Sequence, residues 1–369
     1  MTTTSQRLIG AHMPTSGGIW NGLTGGKAIG CTAVQVFTGN PRQWQHPPME
    51  HETADQFRAA WQETGIAFTC AHDSYLINLA APDAEILEKS RRAFRRELDR
   101  AEMLGIPWVV THMGAHLSST PEEAVDLLCE SMNLLLRETE GMSAGIALET
   151  TAGQGTCLGA TFEQIARVID GCAAHPRVGV CLDTCHIFVA GYDIRDEESY
   201  ARTFDSFGSV IGFDKLKIIH ANDAKKPLGS RVDRHEHIGD GEIGMPAFRR
   251  LVTDPRMLHA PVVVETPDAE TMHAVNVDKL RRMAQEDCGP MKVKVRLFGH
   301  FSDYADALEL EVPAGATVNY VALTLASRDA RLEGIDRHCR AAVNEEYSDT
   351  TATLHEGDEL AFIPPMSGG

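Results

Sequence analysis

The chain has 369 residues, with 34 Lys and Arg against 52 Asp and Glu, a formal net charge of −18. At 43% hydrophobic and 23% charged residues it reads as a globular chain, which excludes a collagenous, low-complexity or largely disordered one. No apolar run reaches the roughly 18 residues of a membrane span, and no apolar h-region follows Met1, so neither a membrane anchor nor a secretory signal is expected.

The length predicts two domains, or one large barrel plus a small module. In chain order, eight short β-rich runs each end in a polar residue: Leu8–His12, Ala33–Thr38, Ala67–His72, Trp108–His112, Ile146–Glu149, Val178–Asp183, Leu216–His220 and Val262–Glu265. Most are nearly continuous apolar runs, as strands buried on both faces of a parallel sheet should be. Helix-like segments separate them, among them Glu85–Leu104, Pro121–Glu138 and Thr161–Ala174. Thr161 to Gln164 has the spacing of a capping box, and Pro121 suits the first position of a helix. From His12 to Glu265 the period is about 36 residues, the length of a strand, a helix and two loops. Eight such units predict an α/β chain folded as a (β/α)8 TIM barrel; a doubly wound open sheet is the competing fold.

A second unit follows Cys288 to Pro290. Lys292–Phe298 alternates like a half-buried strand, and Glu309–Val312 is its expected hairpin partner. Thr317–Ser327 reads as a helix, and Ala341–Tyr347 and Glu359–Ile363 as later strands. The expected organisation is a barrel over residues 1–287, a linker over 288–290 and a small α+β domain over 291–369.

The chemistry lies at the ends of the strands. His72, His112, Glu149, Asp183, His220 and Glu265 each close a strand, and barrel strand ends converge on the face that carries active sites. His186 lies just beyond the sixth strand, and Asp233 and His235 lie in the loop after the seventh. This set is too large for one zinc, which takes about four ligands. It suits two or three ions with bridging carboxylates, and imidazole with carboxylate favours catalytic Zn or Mn. Clustered metals activate water and stabilise attacking and leaving oxygens, the logic of phosphodiester cleavage. Such a site would account for part of the acidic balance, which by itself gives no support to nucleic-acid binding through bulk charge. The remaining histidines are expected to be structural, with His12, His116 and His237 near the mouth but without a role. The nine Cys form no C-x-x-C pair. They are expected as reduced thiols packed in the core of a cytoplasmic protein.

The residues carry a resemblance. Gly10–His12, Phe37–Trp44, His72–Leu79, Glu149–Gly155, Cys181–His186, His220–Lys225, Gly229–His235 and Glu265–Asp268 resemble, over about Leu8 to Arg282, the endonuclease IV family of abasic-site DNA repair nucleases. The resemblance implies three zinc ions per chain. His72, His112 and Glu149 would hold one; Glu149 would bridge to a second with Asp183, His220 and Glu265; His186, Asp233 and His235 would hold the third. It implies hydrolysis of the phosphodiester 5′ to an abasic site in double-stranded DNA, leaving a 3′-hydroxyl and a 5′ deoxyribose phosphate, with Glu149 and Glu265 as the catalytic carboxylates. Arg42, Tyr75 and Leu76 match the positions that enter the duplex in that family, as wedging side chains do when DNA is kinked. Lys225, Lys226, Arg231 and Arg234 surround the third-metal motif, where they could meet phosphates.

About Met291 to Gly369 resembles the small subunit of molybdopterin synthase and related sulfur carriers of β-grasp, ubiquitin-like fold, through Ala342–Tyr347, Gly357–Pro365 and the terminal Ser367-Gly368-Gly369. This implies a partner enzyme that adenylates and thiocarboxylates the carboxyl of Gly369, and a bare Gly-Gly end threads into an active site without side-chain clash. Two other readings compete. One is a metal-dependent sugar isomerase or epimerase on the same barrel. The other is a sulfur-carrier protein that uses the barrel as a scaffold.

Overall fold

The structure, a computed structural model, describes residues 7–45, 47–286, 290–313, 316, 318–326, 329–332, 334–335, 339–348, 352 and 354–364. The Gly-Gly end with Gly369, and residues 288–289 of the expected linker, lie outside the described residues. The chain divides into two compact units, one spanning Leu8–Arg281 and the other holding Arg282–Gly369. No helix among the described residues is long and apolar enough to cross a membrane.

The first unit begins with β1 (Ile9–His12), α1 (Asn21–Ala28), β2 (Ala33–Phe37), α2 (His51–Thr64), β3 (Phe68–His72), α3 (Ala84–Leu104), β4 (Trp108–His112), α4 (Pro121–Glu138) and β5 (Gly145–Glu149). It continues with α5 (Phe162–Gly171), β6 (Val178–Asp183), α6 (Thr184–Ala190), α7 (Glu197–Val210), β7 (Leu216–His220), β8 (Asp223–Ala224), β9 (His235–Glu236), α8 (Met245–Thr253), β10 (Val262–Val264) and α9 (Ala269–Glu286). Strands β1 to β7 and β10 close a parallel barrel, with β1 between β2 and β10. All eight expected strands are present, so the open sheet is excluded.

Local chemistry sets the helix starts. Thr120 caps α4 in a full capping box with Glu123, with Pro121 at the first helical position. The box expected at Thr161 is only half made. Thr161 Oγ1 accepts from the amide of Gln164, but the Gln164 side chain turns away to accept from the amide of Gly159 at 2.9 Å.

Seven strands contribute one residue each to a buried layer: Ala33, Cys70, Val110, Ala147, Cys181, Ile218 and Val263. These side chains are small or branched, so they fill the barrel interior as a packed core. Side chains alternate along a strand, so the residue two positions further on also points inward, one layer nearer the C-terminal mouth. On β1 the corresponding place is Gly10, where a Cβ would sit 1.6 Å from the carbonyl oxygen of Ala33. The described cysteines are free thiols. Five are buried, including Cys181 and Cys185, but Cys157 is exposed, against the expectation of core packing.

The second unit is built from β11 (Pro290–Leu297), β12 (Ala307–Pro313), α10 (Val318–Ala326), β13 (Arg340–Val343), β14 (Glu346–Ser348) and β15 (Glu359–Ile363). Its sheet order is β12-β11-β15-β13-β14, with β11 and β15 parallel and the other pairs antiparallel. Val293, Val295, Leu297, Leu360 and Phe362 on one sheet face pack with Val318, Val321 and Leu325 of the helix. The stretch Ala341–Tyr347, read from sequence as one strand, is a hairpin. Asn344 and Glu345 both take positive φ, 51° and 71°, which is the two-residue turn that suits strand twist.

Candidate metal centre

The strand alternation that builds the core layer also builds the site. Two residues beyond Cys70, Val110, Ala147, Cys181, Ile218 and Val263 stand His72, His112, Glu149, Asp183, His220 and Glu265. His186 and the loop pair Asp233 and His235 need other devices. Asp183 caps α6, its Oδ1 accepting from the amide of His186 at 2.8 Å, so the first turn swings His186 over the barrel mouth. His235 stands on β9, which pairs with β8 in the register Ala224 to His235. That hairpin is pinned by Asp223, whose carboxylate accepts from the amides of Gly239, Gly241, Ile243 and Gly244.

Glu149 is the centre, with no exposed surface. Its Oε2 lies 3.1 Å from His72 Nε2 and 3.2 Å from His112 Nε2. Its Oε1 lies 3.0 Å from His220 Nδ1 and 3.3 Å from His186 Nδ1. Glu265 Oε2 is 3.2 Å from His220 Nδ1. Asp233 faces His186 Nε2 at 3.2 Å and His235 Nε2 at 3.4 Å. Two donor groups of metal-binding size follow the expected pattern: His72, His112 and Glu149, and Glu149, Asp183, His220 and Glu265. Near the third position the compact groups differ from the expected His186, Asp233 and His235. One combines Asp183, His186 and His235; the other combines Cys185, Asp233 and His235.

Outer contacts orient these donors. Nδ1–H of His72, His186 and His235 faces the carbonyls of Asp73, Thr150 and Glu265 at 3.0, 2.8 and 3.2 Å, which leaves Nε2 of each for the centre. Asn222 joins two carboxylate strands, donating to Asp183 Oδ2 and accepting from the amide of Glu265, each at 2.7 Å. Burial opposes charge here, but the proximity of opposite charges prevails. Against burial, the imidazoles of His220 and His112 hold the Glu149 carboxyl well below the usual carboxylate range. Against burial, Glu149 raises His72 to about 10. Asp73 goes the other way, pushed up to about 7 by burial.

The donors fit zinc. Nitrogen and hard oxygen ligands predominate. His235 Nε2 is buried and has no hydrogen-bond partner among the described residues, an orphaned donor atom that an ion would satisfy.

The residues expected to meet DNA lie on loops at the same mouth. Tyr75 is 62% exposed, its ring edge-on to Phe37 and its centroid 6.1 Å from that of His72. Leu76 is half-buried and Arg42 is exposed. Ser74 Oγ donates to the Pro41 carbonyl at 2.8 Å and ties the Arg42 and Tyr75 loops together. Lys225 pairs with Glu236 at 3.3 Å, while Lys226, Arg231 and Arg234 are exposed. Of the histidines near the mouth, His12 joins the cluster through Glu265 at 3.0 Å, whereas His116 bonds the Ser119 carbonyl and His237 faces Asn276. Sequence reasoning missed Gln35 and Asn222, both fully buried. Gln35 carried a signal, since it is a polar residue two positions beyond the core residue Ala33.

Comparison with known proteins agrees with this geometry. Residues 26–286 match the xylose isomerase-like TIM barrel family, and residues 295–369 match the ThiS family. The "Probable endonuclease 4" of Chloroflexus aurantiacus is 48% identical over 278 residues, 75% of this chain and 98% of that protein. The crystal structure of endonuclease IV from Thermus thermophilus superposes with a TM-score of 0.67 at 31% identity, covering 76% of this chain and 99% of that one. A D-tagatose 3-epimerase-like protein, 16% identical, covers 76% of this chain and 97% of its own with a TM-score of 0.59, a likeness of fold alone. The chain therefore belongs to the endonuclease 4 family of xylose isomerase-like TIM barrels, and it carries a ThiS family β-grasp domain at its C-terminal side.

Proposed function

We propose that the barrel is a zinc-dependent endonuclease that hydrolyses the phosphodiester 5′ to abasic sites in double-stranded DNA, leaving a 3′-hydroxyl and a 5′ deoxyribose phosphate. The observation that carries the reading is the convergence of His72, His112, Glu149, Asp183, His186, His220, Asp233, His235 and Glu265 around a buried carboxylate shared by two donor groups. Zinc held by these residues would supply positive charge to a phosphate and an activated water at neutral pH. Glu149 would serve the first two positions and Glu265 would complete the second, while Asp183 has both Oδ atoms held in fixed directions through His186 and Asn222. Arg42, Tyr75 and Leu76 would enter the duplex beside the lesion, where extrusion costs least because no base is stacked. The exposed ring of Tyr75 beside His72 supports that role.

The C-terminal domain is read as a sulfur carrier. Its Gly369 carboxylate would attack ATP, release pyrophosphate and form an acyl adenylate. Sulfide delivered by a transfer enzyme would then attack the carbonyl carbon and displace AMP, leaving a C-terminal thiocarboxylate. Intact mass of the chain from its own cell tests this, through an oxygen-to-sulfur exchange confined to the C-terminal peptide.

The barrel is tested by incubating the purified chain with a duplex bearing one abasic site, resolving the ends produced and counting zinc in the same sample. Incision with a 3′-hydroxyl and about three zinc per chain is expected. A folded, zinc-loaded chain that leaves the duplex intact would reject the nuclease reading and put a sugar isomerase in its place.

A further inference from the structure

Gln35 sits on β2 with no exposed surface, in an otherwise apolar run. Its carboxamide has four polar neighbours. Oε1 lies 2.8 Å from His220 Nε2 and accepts from Cys70 Sγ at 3.4 Å. Nε2 lies 2.5 Å from Glu265 Oε1 and 3.0 Å from His12 Nδ1.

Only one orientation of the amide satisfies this set. An ionised carboxylate only accepts, so the amide NH2 must face Glu265. The amide oxygen then faces His220, and an oxygen can only accept, so His220 Nε2 must carry the proton. An imidazole must be neutral to bind a metal and then has one N–H, so in that form the lone pair of His220 lies on Nδ1. That atom is 3.0 Å from Glu149 Oε1, 3.2 Å from Glu265 Oε2 and 4.0 Å from Asp183 Oδ2. His220 therefore differs from His72, His186 and His235. Those three are locked at Nδ1 by main-chain carbonyls, which no substitution removes, and they present Nε2. His220 is locked at Nε2 by a side chain.

We propose that Gln35 is a positioning residue that selects Nδ1 of His220 as the metal-binding nitrogen and, through its NH2, holds Glu265 toward the same position. This rests on the metal-centre reading above and adds to it a residue outside the ligand set. Gln35 thereby couples two ligands on different strands, β7 and the end of β10, to a third strand that supplies no ligand.

The test uses the full chain. Gln35→Met keeps length and bulk but neither donates nor accepts a strong hydrogen bond. Gln35→Glu still accepts from His220 Nε2–H but repels Glu265. Zinc affinity is measured by competition with a chelator. The ring nitrogens of His220 are read in zinc-loaded, 15N-histidine-labelled protein. In Gln35→Met, the position held by Glu149, Asp183, His220 and Glu265 should weaken about 10–100-fold, and the slowly exchanging Nε2–H signal of His220 should disappear while the Nδ1–H signals of His72 and His186 remain. Gln35→Glu should keep the His220 signal and still lose affinity; it carries the test if Gln35→Met fails to fold. Native affinity in Gln35→Met, or loss of the His220 signal in Gln35→Glu, would overturn the proposal. A native chain that takes up no zinc at all would instead reject the metal-centre reading, and the proposal with it.

Discussion

Replacing Glu149 with Gln is the most informative single change at the mouth. The two side chains have the same shape, so the barrel should close as before. The difference is one charge at an atom pair that serves two donor groups: Oε2 beside His72 and His112, Oε1 beside His220. The side chain is fully buried, so water cannot replace the lost charge. Removing one partner of a buried charged pair costs about 3–5 kcal/mol. At 1.4 kcal/mol per tenfold, that is roughly 10²- to 4 × 10³-fold in affinity for each ion that Glu149 would touch. The third group, built on His186, His235 and the carboxylates of Asp183 or Asp233, does not include Glu149. Elemental analysis of Glu149→Gln after dialysis against micromolar zinc should therefore fall from about three ions per chain to about one. Incision of an abasic duplex should fall at least ~100-fold. Glu265→Gln supplies the contrast, because Glu265 belongs to a single group and its loss should remove a single ion. A Glu149→Gln chain that keeps its full zinc and its full incision rate would refute the bridging role.

Arg42→Ala and Tyr75→Ala should weaken binding of abasic duplex by about 1–3 kcal/mol each, since stacking against a base is worth that much, with the zinc count unchanged; a changed count would place these residues in the metal site. Zinc binding should release protons. In the metal-free chain His72 is raised to about 10 from its ordinary 6.5 and is protonated at neutral pH. A raised imidazole adds stability that is complete below pH 6.5 and lost as pH rises through about 10, so the metal-free chain should lose stability over that window. Zinc affinity should rise over the same window, because the ion displaces these protons; calorimetry in buffers of different ionisation heat measures the release, and binding heats independent of buffer would contradict it. A chain ending at residue 290 should keep zinc and incision, since every proposed ligand lies between residues 72 and 265; loss of either would show that the barrel depends on the C-terminal domain.

The barrel was legible because its physics is repetitive. Each strand must bury both faces, so it shows as an apolar run, and each unit needs a similar length of chain, so the runs recur. The places where reading failed are those where one local interaction decides the outcome. Gln164 had the type and spacing to complete a capping box, yet a nearby amide, that of Gly159, took its side chain. The run around Asn344 looked continuous because the turn between β13 and β14 contains neither Gly nor Pro. Asn344 and Glu345 accept positive φ there because the flanking strands pair on both sides of them.

The placement of the proposed ligands was legible for a related reason. A strand-end His or Glu is one step of the same alternation that fills the barrel core, so six of the nine could be placed by counting two residues from an apolar neighbour. The residues that aim those side chains are not marked by a strand end. Gln35 obeys the alternation but ends no strand. Its value comes from His220 on β7 and from Glu265 beyond β10, which are distant in sequence and adjacent only once the barrel has closed. Asn222 lies outside every strand and acts by spanning Asp183 and Glu265. A ligand type can be read where the chain supplies it, but the tautomer and direction of that ligand are set by partners the sequence does not place beside it. Gln35→Met should therefore alter what no strand pattern records: which nitrogen of an unchanged His220 is free to face an ion.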